Sequence, residues 1–279
     1  MKHEEFYFHT KDGLSLYAQA WSPENPEAVV CLVHGLGEHS GRYVHVAERM
    51  TQSGYAFLTS DLRGHGKSEG LRGHTPSLEA FLTDIDLLLE EAKRRYPDQP
   101  CFLYGHSLGG VLVLNYSLQR QTELAGVIAS SPGLRSALEQ QKGKVALVKL
   151  LGSVIPKQSI SSGLDATTLS RDTEVVRKYL NDPLVHDKMT FGMAKAIIEE
   201  IPWVFAHASR FNVPLLIMHG TADRLVFPAG SQEFAGLVNG NCTLKLWEGL
   251  YHETHNEPEK DDVLSYMVGW LESHKETYK

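Results

Sequence analysis

The pentapeptide Gly105-His106-Ser107-Leu108-Gly109 sets a serine between two glycines. A serine hydroxyl is a weak nucleophile. It attacks an acyl carbon only with a base beside it, a group that orients the base, and N–H donors for the developing oxyanion. The pattern is short, so its context decides. The chemistry needs a strand, a tight turn and a helix, which lift the hydroxyl above a sheet edge and aim a helix N-terminus at the oxyanion. Ser107 meets that test: Phe102-Leu103-Tyr104 precedes it, and Val111–Tyr116 follows as glycine-free, helix-compatible sequence. A second match, Gly66-Lys67-Ser68-Glu69-Gly70, fails it. The nearest strand-like run ends near Ser60, and Leu71-Arg72-Gly73-His74-Thr75-Pro76 cannot continue as a helix.

Six histidines follow Ser107. His252 comes after the last strand-like run through Glu248-Gly249-Leu250-Tyr251, which places it on the same sheet edge as Ser107. It is the expected base, with His255 the alternative. The orienting acid should follow the preceding strand, and Val213–Met218 runs into His219-Gly220-Thr221-Ala222-Asp223. Asp223 is therefore the expected orienter; its bland alternative is a turn cap ahead of Pro228. One oxyanion donor should be the N–H of Leu108, after the nucleophile. The other should come from Leu36 in His34-Gly35-Leu36-Gly37, after the strand-like run Ala28–Val33. Fourteen histidines invite a metal reading. However, His34, His39 and His45 have no zinc spacing and no HExxH is present, so no metal and no cofactor are expected.

These groups need elements to hold them. Phe6–Phe8 and Leu14–Trp21 read as a hairpin around Asp12-Gly13. Strand-like runs then alternate with helix-like ones, among them Leu78–Arg95, whose apolar residues recur every 3.6 positions. The alternation predicts an α/β fold: a mostly parallel sheet of about eight strands, helices on both faces, right-handed crossovers. It stops between Pro132 and Pro214, where helix-like sequence is broken by Gly143, Gly152, Pro156, Gly163 and Pro183. This stretch is too apolar for a linker. The expected organisation is a core of 1–132 and 211–279 with a helical cap over 133–210.

Composition narrows the classes. The 279 residues are 42% hydrophobic and 22% charged, which excludes a disordered chain. With 27 Lys and Arg against 34 Asp and Glu, the net charge of −7 argues against nucleic-acid binding. Cys31, Cys101 and Cys242, odd in number and set in apolar runs, read as buried small hydrophobes. Neither a signal peptide nor an apolar span long enough for a bilayer is visible, so a cytoplasmic protein is expected.

Longer strings resemble the monoacylglycerol lipase branch of the α/β-hydrolases, often labelled lysophospholipases. They are His34-Gly35-Leu36-Gly37-Glu38-His39-Ser40-Gly41-Arg42-Tyr43, Asp61-Leu62-Arg63-Gly64-His65-Gly66-Lys67-Ser68-Glu69-Gly70, Gly105-His106-Ser107-Leu108-Gly109-Gly110, Tyr179-Leu180-Asn181-Asp182-Pro183-Leu184, Gly220-Thr221-Ala222-Asp223-Arg224 and Tyr251-His252-Glu253-Thr254-His255-Asn256-Glu257. The resemblance implies acyl transfer by Ser107, Asp223 and His252, a hole from Leu36 and Leu108, and a cap over an acyl tunnel. It further implies that Glu38, Arg42, His106 and Tyr179 hold the glycerol head of a small lipid ester. The bland alternatives are a structural Glu38–Arg42 pair and a Tyr179 in cap core. The wider readings are a broader carboxylesterase or lysophospholipase, and a ligand-binding protein on the same fold.

Within the cap, Lys144–Ile155 sets Leu147, Leu150, Leu151, Val154 and Ile155 on one helical face, widened by Val145 and Val148. That face either roofs the tunnel and makes weak peripheral contact with a membrane, or packs against the sheet domain. Packing is the preferred expectation of the two.

Overall fold

The computed structural model describes residues 1–120 and 123–275. β1 (Lys2–His9) and β2 (Ser15–Ser22) pair antiparallel through a turn in which Gly13 takes φ +89°, the conformation that the Asp-Gly signal supplies. β3 (Ala28–Val33), α1 (Val44–Gln52), β4 (Tyr55–Ser60), α2 (Leu78–Arg95), β5 (Cys101–His106), α3 (Leu108–Gln119) and β6 (Gly126–Ser130) follow. Ser77 caps α2 by accepting from the Ala80 N–H. Beyond β6 come α4 (Lys142–Val154), β7 (Ser159–Ser161), α5 (Thr173–Asn181), β8 (Lys188–Thr190) and α6 (Phe191–His207). β9 (Leu215–Gly220), α7 (Pro228–Leu237), β10 (Cys242–Trp247) and α8 (Lys260–His274) end the chain order.

The main sheet has eight strands in the order β1-β2-β4-β3-β5-β6-β9-β10. β2 is antiparallel to both its neighbours, and every contact from β4 to β10 is parallel. β3, β4, β6 and β9 are buried along their whole length, because helices cover both faces. One apolar cluster joins α2, α3, α6 and α7 to one face; another joins α1 and α8 to the other. This is the mostly parallel α/β architecture expected from the alternation, and the α/β-hydrolase fold that the resemblance implies. The chain leaves β3 to add β4 on one side and then β5 on the other. That reversal opens a crevice beyond the C-terminal ends of β3 and β5.

Two expectations need correction. The apolar face of α4 does not pack against the sheet domain: Leu147, Leu150 and Val154 are exposed, at 53%, 60% and 68%. Val148 and Gly152 are the buried positions, and α4 rests through them on α6. A Cβ built on Gly152 would lie 2.6 Å from the Phe191 carbonyl oxygen, so only glycine lets the helices approach this closely. The cysteines are free, and only Cys31 is buried; Cys101 and Cys242 are half-buried. The Cys31 and Cys101 sulfurs, on neighbouring strands, lie 3.9 Å apart.

Candidate active site

Ser107 joins β5 to α3 with φ +54° and ψ −113°, a left-handed conformation costly for a residue with a side chain. Three backbone bonds hold it there. Its N–H donates to Ser130 at 3.0 Å, and its carbonyl accepts from Val111 at 3.2 Å and Gly133 at 3.1 Å. The flanking glycines are required by close approach. A Cβ on Gly105 would meet the Gly109 oxygen at 2.2 Å, and one on Gly109 the Val33 oxygen at 2.0 Å. The alternative serine is spent elsewhere: Ser68 Oγ donates to the Asp61 carbonyl at 2.6 Å and accepts from the Tyr17 N–H at 2.9 Å.

The loop after β3 lies against this turn. A Cβ on Gly35 would fall 3.2 Å from Ser107 Cβ. Glu38 fastens the loop by accepting the Gly35 N–H at 2.7 Å, and His186 donates its N–H to the Gly37 carbonyl at 2.9 Å. Leu108 opens α3, so its N–H has no acceptor within the helix. Leu36 and Leu108 are thereby carried on the two segments that meet at Ser107.

Asp223 and His252 come together from the loops after β9 and β10. His252 Nδ1 lies 2.7 Å from Asp223 Oδ2, and both side chains are buried. His255 makes no bond to Asp223. Asp223 Oδ1 accepts from the N–H groups of Leu225 at 2.8 Å and Val226 at 3.1 Å. Burial alone would raise the Asp223 pKa, but His252 and His219 outweigh it and hold the carboxyl well below its ordinary range. Burial alone would likewise lower His252; the Asp223 charge wins and raises it. The Ser131 hydroxyl donates to the His252 carbonyl at 2.7 Å and anchors the loop. The Ser107 hydroxyl makes no hydrogen bond to His252 among the described residues. The His106 ring, one residue before Ser107, lies 4.8 Å from the His252 ring. Catalytic contacts of this kind often tighten only with substrate bound.

Of the four head-group candidates, Glu38 and Arg42 form the structural pair named above as their alternative, and Tyr179 packs with Ala166 and Leu169 in the cap. Arg42 donates to Glu38 Oε2 at 2.6 Å and, through two nitrogens, to Glu253 at 2.6 and 2.7 Å. Tyr43 donates to Glu38 at 2.7 Å. Tyr179, on α5, lies with its ring 4.7 Å from the Arg42 guanidinium carbon. His106 is buried, and its Nδ1 has no partner among the described residues. Glu253 escaped the sequence reading, although a carboxylate beside the base was there to be weighed as the partner of Arg42. His255 stacks on Tyr43 with centroids 4.8 Å apart, and burial pushes its pKa down to about 3.

The three early histidines diverge. His34 bonds its own loop and the Leu62 N–H, His39 pairs with Asp182 at 2.9 Å, and His45 bonds the His255 carbonyl. Among the described residues no three His, Cys, Asp or Glu side chains gather as metal ligands.

A strained serine at a strand–helix turn, with a histidine–aspartate pair on the same sheet edge, is the layout of a serine hydrolase. A family model described as serine aminopeptidase, S33, matches residues 24–259. The chain belongs to that hydrolase family. A monoacylglycerol lipase of Mycolicibacterium smegmatis is 37% identical over 97% of both chains. The crystal structure of Paleococcus ferrophilus monoacylglycerol lipase matches with a TM-score of 0.86 and 38% identity, covering 93% of this chain and 99% of that one. An uncharacterised abhydrolase domain-containing protein of Dictyostelium discoideum is 41% identical over 97% of this chain, which spans only 29% of its length.

Proposed function

We propose that this protein hydrolyses the single carboxylic ester of monoacylglycerols to glycerol and a free fatty acid. Ser107 is the nucleophile, His252 the base and Asp223 the orienter. The observation that carries the reading is the buried 2.7 Å contact between His252 and Asp223 on the sheet edge where Ser107 is lifted. Ser107 Oγ attacks the acyl carbon while its proton passes to His252 Nε2. His252 returns that proton to the glycerol oxygen as the C–O bond breaks, and an acyl-enzyme remains. Water repeats the sequence in reverse and frees the acid. The Leu36 and Leu108 N–H groups receive the oxyanion; each such donor contributes ~2.7–4 kcal/mol in comparable sites. No cofactor enters the chemistry.

The similarity to two monoacylglycerol lipases supports the substrate class. The cap, 133–210, roofs the crevice: Tyr179 covers Arg42, Asp182 pairs with His39, and His186 bonds Gly37. Glu38, Arg42, His106 and Tyr179 form the polar end of the site, toward which the glycerol hydroxyls are directed. The exposed leucines of α4, with Lys144 and Lys149 nearby, give the roof weak affinity for anionic lipid surfaces. No helix among the described residues is long and apolar enough to cross a membrane.

A panel of monoacylglycerols, lysophospholipids, short esters and trioleoylglycerol tests the assignment, alongside labelling by a fluorophosphonate. Monoacylglycerols should turn over fastest, label should fall on Ser107, and a chelator should change nothing. Faster turnover of lysophospholipids or short esters would replace the substrate class. Absence of both label and turnover would leave a binding protein.

A further inference from the structure

Asp223 carries a second imidazole. His219, at the end of β9 and wholly buried, sets Nε2 3.1 Å from Asp223 Oδ2, the same oxygen that receives His252. The Val226 carbonyl faces that nitrogen too, at 3.2 Å. Two acceptors on Nε2 require it to carry the hydrogen, which leaves the other ring nitrogen, Nδ1, for a further partner. There the hydroxyl of Ser231, buried in α7, lies 2.7 Å away. The four sites of the carboxylate are then filled: two backbone N–H groups on Oδ1 and two imidazoles on Oδ2.

We propose that His219, held by Ser231, is a positioning residue that fixes the Asp223 carboxylate and weakens it as a base. The proposal rests on the roles given above to Asp223 and His252. A carboxylate with two donors on each oxygen cannot swing away from His252. Hydrogen bonds to its charged form also keep it ionised, so the shared proton stays on His252 Nδ1 when His252 takes a second one from Ser107. His219 touches neither substrate nor the reacting atoms; it acts through Asp223.

The test compares His219→Leu, His219→Gln, Ser231→Ala and Asp223→Asn in the full chain, on a monoacylglycerol, with melting curves for each. His219→Leu removes the donor and should lower kcat by ~10-fold with KM unchanged, close to what losing one hydrogen bond to a charged group costs, ~1.4 kcal/mol being tenfold. His219→Gln places an uncharged N–H near the position of Nε2 and should restore most of that loss. Ser231→Ala should lower kcat less, in the same direction. A folded His219→Leu variant with unchanged kcat overturns the proposal. So do equal losses in the Leu and Gln variants, because volume rather than the donor would then matter. If His219→Leu does not fold, an unchanged kcat in Ser231→Ala overturns it. Asp223→Asn separates the two levels: full activity there would defeat the assignment of Asp223 itself, whatever His219 does.

Discussion

The hydroxyl of Ser68 donates its one hydrogen to a backbone carbonyl and accepts from a backbone N–H, so it is committed to holding a loop. Ser107 Oγ, on its strained turn, has no such duty. Ser68→Ala should therefore keep kcat while losing ~1–3 kcal/mol of stability, because the buried Tyr17 N–H loses its acceptor. Ser107→Ala should lose ester hydrolysis and keep its melting temperature. The reverse pattern, read by turnover and thermal melts on the two variants, would exchange their roles. His252 must be neutral to take the serine proton, and its pKa is raised. The acid limb of kcat/KM should thus lie above the ordinary histidine value of ~6.5, with activity lost as pH falls through it. A pH profile flat through this range would remove His252 as the base. The placement of Ser107, Asp223 and His252 just beyond β5, β9 and β10 was legible because each follows a strand-like run; their proposed roles follow from that order. Glu253 was not legible, since its partner Arg42 is 211 positions away and meets it only in three dimensions.

Periodicity shows that a helix has an apolar face; it does not say which way the face points. In α4 the stripe of Leu147, Leu150 and Val154 turns outward, because Val148 and Gly152 already supply the contact with α6. Leu150→Ser with Val154→Ser should leave the fold intact, as surface changes usually cost within ~0.5 kcal/mol, while binding to anionic vesicles falls. Gly152→Val should do the opposite, lowering the melting temperature by forcing α4 off the Phe191 carbonyl. Vesicle sedimentation and melts on both variants check the pair. Equal vesicle binding by the double variant and the parent would remove lipid contact by this face. Elements of the sheet were easier to read, since runs such as Ala28–Val33 have one way to hide both faces.

At the scale of the molecule, the eight-stranded sheet and its crossovers position the site, and the proposed role of the cap is to set what enters it. The proposed roof is pinned to the loop after β3 by His39–Asp182 and His186–Gly37, and the resemblance implies a tunnel for one acyl chain beneath it. Trioleoylglycerol should be turned over far more slowly than a monoacylglycerol; comparable rates would contradict a single-chain tunnel. The α/β class followed from alternation on either side of the cap stretch, whereas the seating of the cap depends on contacts that no local pattern encodes.

α6 begins beside β8 in the roof, and its 17 residues run ~25 Å toward the start of β9, with Met193 and Val204 in the core cluster. The roof thus has one leg planted in the foundation. Amide exchange should record this division: protection in α6 ought to follow global unfolding, while α4 opens locally and far more often.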